Sequence, residues 1–217
     1  MAATRELQIA DIGAGTGISS RLLADRGAHV IAIDPNAAML KAAWRGSRVY
    51  YRAASAEATG LQAHSVDIVT AFQSFHWFVR DAAMREFRRV LKHPGRAAFV
   101  WNNRERGDAF NAGYAALVQS FGEEAAVVDR GTHFAPPAET LAAHGFGQIM
   151  RRVFPYEQNL DLDGLIGRAR SSSYLPREGA PYARLRDGLL ALHEQFADSE
   201  GHVRFLYRTV VYRGDWL

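Results

Sequence analysis

The residues that can do chemistry gather first in one stretch, Asp11-Ile12-Gly13-Ala14-Gly15-Thr16-Gly17. It follows the apolar run Leu7-Gln8-Ile9-Ala10 and precedes a helical pattern in which Ile18, Leu22 and Leu23 are expected to face inward, with Gly27 as the stop. Glycines between a strand and a helix let the backbone turn sharply and admit a ligand close to the amide groups. Dinucleotide-binding loops are related, but their pattern requires glycine at position 18, where this chain has Ile18. Asp11 repels a pyrophosphate and suits a ligand that carries a positively charged amine. A tight turn without a ligand is the alternative. Asp34, 21 positions after Gly13, can accept hydrogen bonds from both hydroxyls of a ribose. Followed by Pro35, it is also a good helix N-cap, and the two roles are compatible because its oxygens have separate lone pairs. Met39 either packs on an adenine or belongs to the inner face of the next helix.

A second group of residues is suited to the reacting end of a ligand and to its partner. His76 is the candidate general base, since an imidazole titrates near neutrality; alternatively it begins a helix, with Trp77 and Phe78 packed into the core. Asn102, Asn103 and Arg104 follow a strand, and residues 170–174 bring Arg170 and Tyr174. Arginines at such positions can grip an acidic acceptor bidentately, or they belong to solvated loops. His133 and His144 read as surface residues, and Trp44, Tyr50 and Tyr51 as core or rim aromatics. No histidines and carboxylates stand at ligand spacing, so no metal is expected.

These residues need a frame, and the first hundred supply one. Short apolar runs alternate with helical patterns, the signature of a parallel α/β sheet. Strands are expected at 29–33, 49–51, 66–72 and 97–101, with 66–72 a near-continuous apolar run suited to the sheet centre. Helices are expected from Asp34-Pro35 to about Trp44, and over 81–91 with Phe87, Val90 and Leu91 on one face and a stop at Pro94-Gly95. Later, helices are expected at 109–121, 137–144, 161–172 and 181–196, and strands at 149–154 and 205–212, giving seven strands in all. Repeats and low-complexity linkers are absent, so the expectation is one domain over 1–217, with a cofactor-binding half at 1–103 and an acceptor-side half at 104–217.

Composition narrows the class. The chain has 217 residues, 48% hydrophobic and 23% charged, which suits a globular domain with a sizeable core. It contains no cysteine, so thiol nucleophiles, thiolate metal sites and disulfides are excluded. The N-terminal residues lack a signal-peptide core and no run is long enough to span a bilayer, which points to a cytoplasmic protein without a membrane partner. Net charge is +3, and the strongest basic cluster, Arg85, Arg88 and Arg89, falls on a solvated helix face. That is too little for a nucleic-acid surface.

The whole pattern resembles class I S-adenosylmethionine-dependent methyltransferases, in particular the small-molecule group that includes trans-aconitate methyltransferase-like proteins. The resemblance is carried by six motifs in order: the glycine stretch 11–17, Ile33-Asp34-Pro35 with Met39-Leu40, Ser55-Ala56-Glu57, Val66-Asp67-Ile68-Val69, Gln73-Ser74-Phe75-His76-Trp77-Phe78, and Glu86 to Gly95. The last departs from the family's turn by the insertion of His93 and by Arg96 in place of a glycine. The resemblance implies a Rossmann-like fold with a seven-stranded, mostly parallel sheet in order 3-2-1-4-5-7-6, strand seven antiparallel, and helices on both faces. It implies S-adenosylmethionine as cofactor, held by Asp11, Gly13, Ala14, Gly15, Thr16, Gly17, Asp34, Pro35, Met39, Ser55, Ala56, Glu57 and Gln73. The backbone of Ala56-Glu57 would edge the adenine and Gln73 would line the methionine end. Trp77, Asn102, Arg104, Arg170 and Tyr174 are the acceptor-side candidates, and His76 the catalytic one. The expected activity is methyl transfer to a small molecule, at a carboxylate or hydroxyl oxygen, by a monomer or homodimer. Two alternatives stand beside it: a protein of the same fold that binds S-adenosylmethionine or S-adenosylhomocysteine without turnover, and a nicotinamide oxidoreductase, which Ile18 and Asp11 disfavour. Family members carry a few dozen residues ahead of the glycine motif, and ten precede Asp11 here. Another segment, a partner subunit or an upstream extension is therefore expected to cover the site.

Overall fold

Seven strands form one sheet in the order β3-β2-β1-β4-β5-β7-β6, with β7 antiparallel. The computed structural model describes residues 6–105, 107–121, 137–172 and 174–217; His133 lies outside them. The strands are β1 (Gln8–Ile12), β2 (His29–Asp34), β3 (Val49–Ala53), β4 (Val66–Phe72), β5 (Leu91–Arg104), β6 (Gly147–Leu160) and β7 (Val203–Trp216). The helices are α1 (Ile18–Ala24), α2 (Ala37–Lys41), α3 (Arg80–Val90), α4 (Ala109–Gln119), α5 (Pro137–Ala143), α6 (Leu162–Arg170) and α7 (Gly179–Phe196), with a 3-10 turn at Phe75–Trp77. The expected strand order and the antiparallel last strand are both present.

Register explains why the chemical residues converge. β1 runs parallel to β2 and β4, with Ile12 opposite Ile33 and Asp11 opposite both Ala32 and Thr70. β2 runs parallel to β3, with Asp34 opposite Ala53. The carboxyl ends of four neighbouring strands therefore finish level, and Gly13, Asp34, Ala54 and Gln73 emerge from one edge. In open parallel sheets that edge is where ligands bind.

The structure departs from the sequence expectation at several elements. Ile18 is 65% exposed and Leu22 is also exposed, whereas Ser20 and Ala24 are buried. Positions 20 and 24 share one helical face and 18 and 22 lie on another, and the Ser20 hydroxyl is held inward by Asp11 at 2.6 Å. A polar anchor thus sets the rotation of α1 against the apolar pattern. α2 is short and capped by Asn36, whose side chain accepts from the amides of Ala38 and Met39; Asp34 is not the cap. β5 begins at Leu91 instead of 97, and Val66 pairs with Leu91 while Ile68 pairs with Arg96. Lys92 to Gly95 thus form a bulge inside the strand, and Lys92 Nζ reaches both oxygens of Asp67 at 3.1 Å.

The chain divides into two compact units: the described residues of Met1–Trp101, Phe134–Val153 and Val210–Leu217, and those of Asn102–His133 and Phe154–Thr209. The first has a core of Val66, Val69, Ala71, Met84, Phe87 and Phe99, in which Phe75 stacks on Phe99 with centroids 4.1 Å apart. The second packs Phe110, Tyr114, Leu165, Leu185, Leu189 and Phe205. Among the described residues no helix is long and apolar enough to cross a membrane.

One buried carboxylate in the first unit ties a loop to α3. Glu86 Oε1 accepts from the amide and hydroxyl of Thr59 and from Arg89 Nη2, and Oε2 accepts from Arg89 Nε. The Arg89 guanidinium first, and then the Thr59 donors, hold its pKa down at about 2. A free glutamate titrates near 4.3, so this stabilisation is complete above that pH and is lost as pH falls through about 2. Glu86→Gln is expected to be less stable than wild type by about 1 to 3 kcal/mol at pH 7. In denaturation curves collected from pH 7 to pH 2, the gap should close below about pH 4.3; a gap independent of pH would contradict this account.

Candidate functional site

The loop from Gly13 to Gly17 contains three glycines with positive φ, but they are glycine for different reasons. A Cβ on Gly13 would lie 2.4 Å from Cβ of Ser74, and one on Gly17 would lie 2.2 Å from the Tyr51 hydroxyl. Those two are required by the protein's own packing. Gly15, at φ +58, has only Met39 Cε nearby, at 3.8 Å, so its backbone is the one left open to a ligand. Gly13 and Ala14 donate their amides to Ile33 O, which fastens the loop to the end of β2.

Asp34 completes that fastening. It is 9% exposed; its Oδ2 accepts from Gly15 N and its Oδ1 from Asn36 N, each at 2.8 Å. Each oxygen retains a lone pair, so the carboxylate can still accept a pair of hydroxyls. Met39 extends over Gly15, with its side chain largely exposed. Asp34, Gly15 and Met39 are thus brought together as one surface, beside the exposed Pro35.

Asp11 occupies a different position from the one its charge suggested. It is 1% exposed, and its Oδ2 accepts from Ser19 and Ser20 while Oδ1 accepts from Thr70. Burial pushes its pKa up, and the three hydroxyls work against that shift. Its carboxylate therefore lies beneath the loop and is satisfied by the protein, so any influence on a ligand runs through the field across the loop.

The remaining residues of the first unit flank this core. Ala56 is buried, with Ser55 and Glu57 half-buried beside it. The Glu57 side chain accepts the amide of Val79, the residue that precedes α3. Burial acts to raise the Glu57 pKa, but the hydrogen bonds from Val79 and Ser55 leave it lowered. Gln73 adopts φ +54, a left-handed conformation that is uncommon for a non-glycine residue. Its amide donates to Val100 O, and Ser74 Oγ donates to Ile12 O. His76 lies in the 3-10 turn with its ring 4.9 Å from that of Trp77, which is 74% exposed. Burial lowers the His76 pKa, so the imidazole is neutral at pH 7.

Four acceptor-side candidates belong to the second unit. Asn102 accepts from Thr209 Oγ1 at 3.1 Å, and the Arg104 guanidinium lies 5.2 Å over the Tyr114 ring. Tyr174 packs on the core, while Arg170 is exposed and turns toward Tyr182. Arg170 therefore does not share the surroundings of Arg104. His144 Nδ1 donates to Thr140 O, and its Nε2 lies 3.3 Å from Asp81 Oδ1. Among the described residues no group of three or more histidines and carboxylates could hold a metal ion.

Sequence reasoning missed Ser74 and Tyr51. Ser74 was within reach: it directly follows Gln73 and is the only small residue in the stretch 72–78. Tyr51 carries no local signal, because only the register of β3 places its hydroxyl over Gly17. That hydroxyl is buried without a hydrogen-bond partner, and burial first, then the nearby Asp11 charge, raises its pKa. An unpartnered buried hydroxyl costs about 1 to 3 kcal/mol. Tyr51→Phe is therefore expected to raise thermal stability, by roughly 1 kcal/mol, whereas Gly17→Ala should lower it sharply; a destabilised Tyr51→Phe would show that the hydroxyl has a partner.

A profile described as a methyltransferase domain matches residues 10–99. The chain is 32% identical over 169 residues to an uncharacterized methyltransferase-like protein of Schizosaccharomyces pombe, covering 77% of this chain and 64% of that one. It is 30% identical over 200 residues to an uncharacterized methyltransferase of Mycobacterium bovis, covering 89% of this chain and 77% of that one. The chain thus spans just under two thirds of the fission-yeast relative's length. Among solved structures it is similar to a candidate type II methyltransferase of Anaeromyxobacter dehalogenans, with TM-score 0.70, 26% identity, and coverage of 95% of this chain and 88% of that one.

Proposed function

The chain belongs to the class I S-adenosylmethionine-dependent methyltransferase family, and from that premise we propose that it transfers a methyl group from S-adenosylmethionine to a small molecule, at a carboxylate or hydroxyl oxygen. The observation that carries this reading is the joint geometry of Asp34 and Gly15: a carboxylate fixed by two backbone amides, beside the one loop glycine with open space.

The residues fit an adenosyl ligand. Asp34 would accept the ribose hydroxyls, Met39 would cover the adenine from above Gly15, and Ser55 with the backbone of Ala56-Glu57 would edge it. Gly13, Ala14, Thr16 and Gly17 shape the loop, and Pro35 fixes the chain after Asp34. Gln73, held in its left-handed conformation at the end of β4, would line the methionine end. Asp11, kept under the loop by three hydroxyls, favours a ligand with a positive charge above it. Bound there, S-adenosylmethionine supplies an electrophilic methyl group and a neutral leaving group, so positioning and exclusion of water can provide much of the acceleration.

His76 answers a narrower question. A hydroxyl acceptor must lose a proton, and a neutral imidazole can take it; a carboxylate acceptor needs no base. Incubation with methyl-labelled S-adenosylmethionine and a panel of small organic acids and alcohols is expected to yield labelled product and S-adenosylhomocysteine. His76→Ala should lose most turnover with hydroxyl acceptors, by about 100-fold, while sparing carboxylate acceptors and cofactor affinity. Undiminished turnover of a hydroxyl acceptor by the variant would remove His76 from the chemistry. Cofactor binding without transfer to any acceptor would favour a binding protein of the same fold.

A further inference from the structure

The second unit holds a half-buried arginine among hydroxyls. Arg168 lies on α6, one turn after the buried Leu165. Its Nε donates to the Tyr207 hydroxyl at 3.1 Å and its Nη1 to Ser171 Oγ at 3.2 Å. A guanidinium has five N–H donors, and these bonds occupy two of them. Arg48, Arg89, Arg96 and Arg208 each pair with a carboxylate, whereas no carboxylate among the described residues pairs with Arg168. Withdrawing a charge from water without a counter-charge is costly, so a residue kept in this condition needs a reason.

Its neighbours are of one kind. The phenols of Tyr207, Tyr114 and Tyr174 all lie within electrostatic reach of Arg168. Tyr207 accepts from the guanidinium, which leaves its own O–H to donate elsewhere. Tyr114 is 1% exposed, and burial pushes its hydroxyl up to about 12 despite the neighbouring cations Arg168 and Arg104. The Tyr114 hydroxyl therefore stays protonated at physiological pH. The described groups shown around Arg168 are thus the phenols of Tyr207, Tyr114 and Tyr174 and the hydroxyl of Ser171.

We propose that Arg168, with the hydroxyls of Tyr207 and Tyr174, forms a binding site in the second unit for the oxyanion of a small molecule, a carboxylate or a phosphate. The fork of a guanidinium matches two oxygens of either group, and charge-assisted bonds from it are the strong ones. That the oxyanion belongs to the methyl acceptor rests on the methyltransferase reading above; the binding itself does not.

Calorimetric titrations of the full chain with malonate and, separately, with inorganic phosphate test the site, with S-adenosylhomocysteine titrated in parallel. The wild type should bind one anion saturably, and which anion binds more tightly identifies the group. Arg168→Gln should weaken that binding about tenfold or more, the loss of one charge-assisted pair, and Tyr207→Phe several-fold, with affinity for S-adenosylhomocysteine unchanged in both. Should Arg168→Gln fail to fold, Tyr207→Phe, which keeps the ring, carries the test. Absence of saturable anion binding by the wild type, or equal anion affinity in a folded variant, overturns the proposal. Anion binding that obeys these expectations while S-adenosylhomocysteine fails to bind would leave this site standing and defeat the methyltransferase reading alone.

Discussion

A carboxylate buried at the end of β1 must be surrounded by donors, and that requirement organises the first unit. Asp11 gathers Ser19 and Ser20 from the start of α1 and Thr70 from β4. Without them the charge would have no partner in a low-dielectric interior, a far larger penalty than a single missing hydrogen bond. With them, the direction of α1, its rotation and its attachment to the neighbouring strand are all fixed together. The loop between β1 and α1 then has little freedom. Ser74 presses on Gly13, Tyr51 presses on Gly17, and Asp34 holds Gly15. The result is a rigid surface in which one glycine alone faces open space, prepared before any ligand arrives.

Preparation of this kind separates binding from reaction. The residues expected to hold an adenosyl group stand on strand ends and a fastened loop, all in the first unit. Asn102, Arg104, Arg170 and Tyr174, and the arginine among tyrosines, stand in the second unit, while Trp77 stands in the first. A fold that assigns the shared ligand to strand ends and leaves variable chemistry to other segments can host many acceptors.

Much of this was legible in the sequence, and the reasons are specific. The order of strands followed from a resemblance carried by six motifs. The bounds of β1, β2, β4 and α3 were close, because β4 is a plain apolar run and the glycine loop marks both its neighbours. What failed, failed for tertiary reasons. Ile18 and Leu22 look like a core face, but the Ser20 hydroxyl bound to Asp11 turns them outward. Asp34 followed by proline looks like a cap, yet Asn36 caps the helix and Asp34 serves the loop. Pro94-Gly95 looks like a turn, but it is a bulge absorbed by strand pairing. Arg168 was invisible because nothing local distinguishes it from other arginines; only the burial of Tyr207 and Tyr114 around it does.

The proposed function requires Asp34 and the loop it holds to seat an adenosyl ligand. Calorimetric titration of the wild-type chain with S-adenosylhomocysteine, beside Asp34→Ala of verified fold, tests it most directly. Saturable binding of one ligand per chain is expected, weakened by roughly 100-fold in the variant as two hydrogen bonds to a charged acceptor are lost. Equal affinity in the two proteins, or no binding by the wild type, would contradict it.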